Sequence, residues 1–144
     1  MTGAAGGVAN LLRPRLIGVS KKFRLTDIQH FTSASDLDET MIGDLADSAF
    51  VDQLVQGCDG ILHLGGVSTE QPFDEILPAN IVGVYNIYRA AAKYGRPRVI
   101  FASSNHVTGA YRTQETITPN EPFLPDSFYG ASKVFGEAVA KLFF

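Results

Sequence analysis

The stretch from Gly60 to Ser103 restricts the fold more than any other part of the chain. An apolar run, Gly60 to Leu64, stops at Gly65-Gly66; Phe73, Leu77, Ile81, Val84, Tyr88 and Ala91 then recur at helical spacing until Gly95 and Pro97; Arg98 to Ser103 reads as a second apolar strand. Two buried strands separated by a helix of that length lie parallel in one sheet, because parallel neighbours need a long crossover connection. This is a βαβ unit, and it excludes all-α and hairpin-based all-β architectures.

The same alternation runs through the remaining residues. Residues 7 to 16 read as a helix with Val8, Leu11, Leu12 and Leu16 on one face, weakened by Pro14. Phe23 to Thr26 and Thr40 to Gly43 read as short strands ending at Asp27 and Asp44, and Asp47 to Val55 as the helix that follows. Asp126 to Phe144 reads as a closing helix, capped by Asp126 or Ser127, with Phe128, Ala131, Phe135, Val139 and Leu142 as its core stripe. The expected fold is α/β, a doubly wound parallel sheet of Rossmann type. Asn105 to Pro125 stands apart: about 20 residues with three prolines and little periodicity are more than a compact domain spends on a plain connection, so a functional loop is expected there.

At 144 residues, one hydrophobic core and one domain are expected. A composition of 45% hydrophobic and 19% charged residues is that of a globular chain, and a net charge of −3 without a basic cluster argues against nucleic-acid partners. Cys58 is alone, so no intrachain disulfide is expected, and its apolar surroundings read as a small core position. No stretch approaches a membrane span and Met1 to Gly7 lacks the features of a secretory signal; the expectation is a cytoplasmic enzyme with no membrane partner.

Chemistry concentrates where strands end. Thr2-Gly3-Ala4-Ala5-Gly6-Gly7-Val8-Ala9 opens the first helix, with Gly3, Gly6 and Ala9 at the three positions of a glycine-rich turn. Such a turn lets the backbone approach a pyrophosphate beside free helix amides. A turn of this kind also serves as a plain strand-to-helix connection; Asp27 raises its meaning, because a carboxylate a little more than 20 residues on accepts hydrogen bonds from an adenosine ribose. It repels a 2′-phosphate, so NAD is expected over NADP. The cofactor set is Gly3, Ala5, Gly6, Gly7, Val8 and Asp27, joined by Asp44 and Leu45 after the strand Thr40 to Gly43 and by Leu64, Gly65 and Gly66 at the end of the strand that begins at Gly60.

Tyr129-Gly130-Ala131-Ser132-Lys133 is the most informative segment. Residues four apart lie on one helix face about 6 Å apart along the axis, so the tyrosine and lysine act together. A free tyrosine titrates near ~10, and service as a base near neutrality requires about 4 kcal/mol of extra phenolate stabilisation; an adjacent ammonium has the right sign. Ser103-Ser104 ends the strand Val99 to Ala102, where a hydroxyl can reach the reacting oxygen beside the tyrosine.

The glycine turn, the strand-end serine and the tyrosine–lysine helix resemble the extended short-chain dehydrogenase/reductase superfamily. Within it, Thr2 to Gly7, His63 to Ser68, Phe101 to His106 and Tyr129 to Gly136 resemble the uronate dehydrogenases, and Ser103-Ser104-Asn105-His106 is the most diagnostic run. The resemblance implies that Ser104, Tyr129 and Lys133 are catalytic, that Tyr129 and Lys133 also touch the cofactor, and that Ser68, Ser104, Asn105 and His106 hold a sugar acid. The implied reaction is NAD-dependent oxidation of a hexuronic acid, galacturonate or glucuronate, at C1 to the aldarolactone. A sugar-nucleotide epimerase or dehydratase and a non-catalytic NAD-binding module stay open as alternatives. His106 also reads as a plain loop histidine, and His30 and His63 as structural; no metal set is expected, and oligomeric state is left open.

Against that pattern, residue 1 falls where the first strand should already have ended, and residue 144 just after the catalytic helix. Residues 1–144 are therefore expected to be a partial NAD-binding domain, lacking the first strand and the substrate-binding domain, and to have negligible activity alone.

Overall fold

The computed structural model describes residues 1–33 and 35–143. Helix α1 (Gly7–Leu12) passes into a 3₁₀ turn, Arg13–Leu16, then strands β1 (Arg24–Asp27) and β2 (Glu39–Ile42) follow, helix α2 (Ser48–Val55) and strand β3 (Gly60–His63). A helical stretch in three parts comes next, α3 (Phe73–Ile76), a π-helical segment Leu77–Gly83 and α4 (Val84–Lys93), then β4 (Arg98–Phe101), a 3₁₀ turn Asn105–Thr108 and α5 (Phe128–Phe143). Ala34 and the end of the closing helix at Phe144 lie outside the described residues.

Every strand pairing is parallel. β1 pairs with β2 from Arg24 opposite Glu39 to Asp27 opposite Ile42, and β3 pairs with β4 from Gly60 opposite Arg98 to His63 opposite Phe101. Thr2 joins the two pairs, bridging Thr26 on one side and His63 on the other. The Thr2 amide donates to Leu62 O at 3.0 Å, and Thr26 N donates to Met1 O at 2.9 Å. Met1 and Thr2 thus take the place between β1 and β3 of the first strand, which was expected to have ended before residue 1, giving the order β2-β1-Thr2-β3-β4 of a Rossmann-type sheet.

The departures from sequence expectation have local causes. Pro14 has no amide to donate and its ring crowds the preceding turn, so α1 stops at Leu12 and tightens into the 3₁₀ turn. The long helix is interrupted where Pro78 removes another amide, and the extra residue of the π segment turns Asn80 inward to 2% exposure. Cys58 sits half-buried in the connection after α2, its thiol 3.4 Å from Leu54 O, rather than in the core. Ser127, not Asp126, caps α5 by accepting from Gly130 N at 3.0 Å.

The core lies on the face covered by α2, α4 and α5. Val51, Leu54 and Val55 of α2 pack with Ile61 and with Ile87, Ala90 and Ala91 of α4, while Val84 and Tyr88 meet Val139 of α5. Burying such aliphatic side chains contributes about 1.5–3 kcal/mol each, which fixes α4 between the other two helices. Two polar contacts set the ends of these elements near the site: Asn86 Nδ2 donates to Leu45 O and Ala46 O, and a Cβ on Gly83 would lie 2.9 Å from Leu45 Cβ. Among the described residues, no helix is long and apolar enough to cross a membrane.

Candidate active site

A cavity of about 560 Å³ opens at the carboxyl ends of the strands. Its walls contain Gly3, Ala5, Gly6, Gly7 and Val8 of the glycine turn, Asp27 and Gln29 beyond β1, Asp44 and Leu45 beyond β2, and Leu64, Gly65, Gly66 and Ser68 beyond β3. Sequence reasoning singled out all of these except Gln29, having placed Ser68 with the sugar acid.

Close approach explains the glycines. Gly3 has φ +67°, and a Cβ there would sit 2.7 Å from Gly65 N, so the turn after Thr2 and the turn after β3 touch backbone to backbone. Thr2 reinforces that contact: its Oγ1 accepts from Gly65 N at 2.9 Å and lies 2.7 Å from His63 Nδ1. His63 is 1% exposed, and burial, aided by the charge of Lys133, pushes its imidazole down to about 3; it is a neutral structural residue beneath the cavity.

Asp27 is held in place by the turn it faces. Oδ2 accepts from Ala5 N at 2.9 Å and Oδ1 from Gln29 N at 3.1 Å, which leaves each oxygen with acceptor capacity toward the cavity.

The second group of residues is gathered by β4, the turn after it and α5. Lys133 is 7% exposed; its Nζ donates to Ala102 O at 2.9 Å, 5.0 Å from the Phe101 ring centroid and 5.5 Å from that of Tyr129. Burial pushes the Lys133 ammonium below its ordinary range, and the Ala102 carbonyl opposes this by accepting from the charged form. Gly136 makes room for this arrangement, since a Cβ there would lie 2.4 Å from the Phe101 ring.

Tyr129 is half-buried, its ring edge-on to His106 at 5.5 Å. Ser104 Oγ accepts from His106 N at 3.2 Å and lies 3.4 Å from Asn105 Oδ1. His106 Nδ1 is 2.9 Å from both carboxylate oxygens of Asp126, and the bonds from His106 and Ser127 hold the Asp126 carboxyl below its usual range. The loop that begins at Asn105 is closed on itself: Leu124 N donates to Val107 O at 2.9 Å and Ala110 N to Leu124 O at 3.0 Å.

Three residues of this neighbourhood escaped the sequence reading in these roles. Asn80 Oδ1 accepts from Val67 N at 2.7 Å, while Nδ2 donates to Val67 O and to Ser132 Oγ, both at 3.0 Å; one buried amide therefore ties the turn after β3 to α5. The second is Asp126, considered only as a cap, and the third is Glu70, which reaches the first amides of α5. A polar residue two positions after a proline within an apolar helical pattern was the available signal for Asn80. Among the described residues, no group of three His, Cys, Asp or Glu is placed to hold a metal ion.

A parallel sheet with a glycine turn and strand-end carboxylate on one side, and a serine, tyrosine and lysine on the other, defines a nicotinamide-dinucleotide-dependent class of Rossmann protein. The model of the NAD dependent epimerase/dehydratase family matches residues 1–143, and the chain belongs to that family. It is similar to the uronate dehydrogenase of Pseudomonas syringae pv. tomato, at 52% identity over 100% of this chain and 53% of the relative. The uronate dehydrogenase of Agrobacterium fabrum is 46% identical over 100% of this chain and 54% of its own length. A crystal structure of a mutant uronate dehydrogenase from Agrobacterium tumefaciens complexed with NAD superposes with a TM-score of 0.96, at 46% identity, covering 99% of this chain and 54% of that one. The chain spans about half the length of these relatives.

Proposed function

We propose that this chain carries the cofactor site and the catalytic residues of a cytoplasmic NAD-dependent dehydrogenase that oxidises the ring form of a hexuronic acid at C1 to the aldarolactone. The observation that carries the reading is an adjacency at one edge of the sheet: the cavity containing Asp27 and Ser68 borders the turn that Asn80 fastens to the helix of Tyr129 and Lys133. The similarity to uronate dehydrogenases along the whole chain supplies the substrate class.

NAD fits the residues present. Gly3, Gly6 and Gly7 leave room for a pyrophosphate, Asp27 has acceptors for ribose hydroxyls and repels a 2′-phosphate, and the turns carrying Asp44, Leu45, Leu64, Gly65 and Gly66 complete the walls. When bound, NAD supplies the hydride acceptor. Tyr129 takes the proton of the C1 hydroxyl through its phenolic oxygen as C1 gives up its hydrogen with the bonding electron pair and the C1=O bond forms. Lys133, fixed by Ala102 O, stabilises the phenolate through space and binds the nicotinamide ribose. Ser104 orients the C1 oxygen, and Ser68, Asn105 and His106 hold the sugar acid.

The test is to mix the protein carrying this chain with NAD and either galacturonate or glucuronate, follow NADH, and identify the lactone. Expected is NADH in step with lactone. Interconversion of sugar nucleotides without net NADH would make the protein an epimerase or dehydratase, and cofactor binding without turnover of either kind would make it a nucleotide-sensing module.

A further inference from the structure

We propose that Glu70 is a positioning residue for Tyr129, holding the reacting phenol in place through its backbone; the inference rests on the dehydrogenase reading above. The first four amides of a helix have no partner within it, so the first turn frays unless something outside accepts from them. In α5 the amides of Phe128, Tyr129 and Gly130 are all taken, and Ala131 N makes the first bond of the helix itself, to Ser127 O at 2.9 Å. Ser127 Oγ accepts from Gly130 N at 3.0 Å. The other two, Phe128 N and Tyr129 N, donate to Glu70 Oε1 at 3.2 Å and Oε2 at 2.8 Å. Those acceptors come from 58 and 59 residues away, on the segment that leaves the cavity at Ser68. The carboxylate charge also complements the positive end of a 16-residue helix.

Tyr129 needs this more than its neighbours do. Lys133 is anchored at its own tip, Nζ to Ala102 O, and Ser132 by Asn80 Nδ2. Tyr129 must leave its oxygen to the substrate, so its placement is set by its main chain, in the turn of α5 most prone to opening. The bond from Ser132 Oγ to Tyr129 O at 2.7 Å fixes the carbonyl side, and Glu70 fixes the amide side. The Phe73 ring packs on Phe128 at 5.8 Å, closing the same turn from α3.

The experiment compares Glu70→Ala and Glu70→Gln in the protein carrying this chain. Glutamine keeps an acceptor oxygen on the same stem; alanine keeps none. Expected for Glu70→Ala is a fall in kcat of about tenfold with KM for NAD nearly unchanged, since misplacing a reacting group costs turnover rather than cofactor binding. Glu70→Gln recovers most of that loss. Amide hydrogen exchange gives a second reading independent of turnover: Phe128 and Tyr129 exchange about tenfold faster in Glu70→Ala, while the last turns of α5 do not change. Unchanged exchange at those two amides, or an unchanged kcat with only a lower Tm, overturns the proposal. Absence of NADH production by the unsubstituted protein rejects the dehydrogenase reading instead, and the exchange measurement still decides whether Glu70 holds Tyr129.

Discussion

The carboxylate of Asp27 accepts a hydrogen bond from the amide of Ala5 at 2.9 Å, so the residue proposed to bind the ribose also fastens the glycine turn proposed to receive the phosphates. Replacing it disturbs two contacts at once. Asp27→Ala is expected to weaken NAD binding by about ten- to a hundredfold, the range for losing hydrogen bonds to a charged group, and to narrow the preference over NADP. Titrating both dinucleotides against the two proteins checks this; an unchanged NAD affinity would remove Asp27 from the ribose-binding role.

Tyr129→Phe deletes one oxygen and leaves the ring against His106. Turnover should fall by a factor of about a hundred or more, as for loss of a general base, with NAD affinity essentially retained. Calorimetric titration beside steady-state kinetics separates the two quantities. Equal turnover in both proteins would assign the proton transfer to another group.

Asp126 fixes which face of the His106 imidazole points outward, since Nδ1 is committed to its carboxylate. Asp126→Asn should raise KM for the sugar acid by about tenfold while KM for NAD stays constant, because His106 lies outside the cavity proposed to hold the dinucleotide. A change in KM for NAD of equal size would show that Asp126 supports the fold generally.

His63 makes stability depend on pH. Its folded-state value, pushed down to about 3 by burial, lies below the ordinary 6.5 of the unfolded chain, so only the unfolded chain binds a proton between them. Stability conferred by the neutral ring is complete above 6.5 and is lost as pH falls toward 3. Unfolding free energies from urea titrations between pH 6 and 5, where most carboxylates stay ionised, should decline by about 1 kcal/mol per pH unit, and His63→Gln should flatten that slope. An equal slope in both proteins would place the titration elsewhere.

Much of the cavity lining was legible because strands of a parallel sheet turn their carboxyl ends to one side, and those ends can be found from apolar runs stopped by Gly, Asp or Ser. Asp27, Asp44 and Gly65 were read in this way. Thr2 was read only as part of the turn, and its place as a sheet rung emerged from pairing with Thr26 and His63, strands 24 and 61 residues away. Glu70 and Asn80 stayed silent for the same reason: their partners lie on α5, more than 50 residues on, and local periodicity carries no record of such contacts. The π segment was equally hidden, because Pro78 announces a disturbance in a helix but not whether the backbone will break, kink or widen.

The bonds between Val107, Ala110 and Leu124 work like a drawstring. His106 and Asp126 lie just outside the knot and the exposed stretch 112–121 hangs beyond it, so the length of that stretch is free to change without moving either. It is the natural place to graft a reporter or an affinity handle.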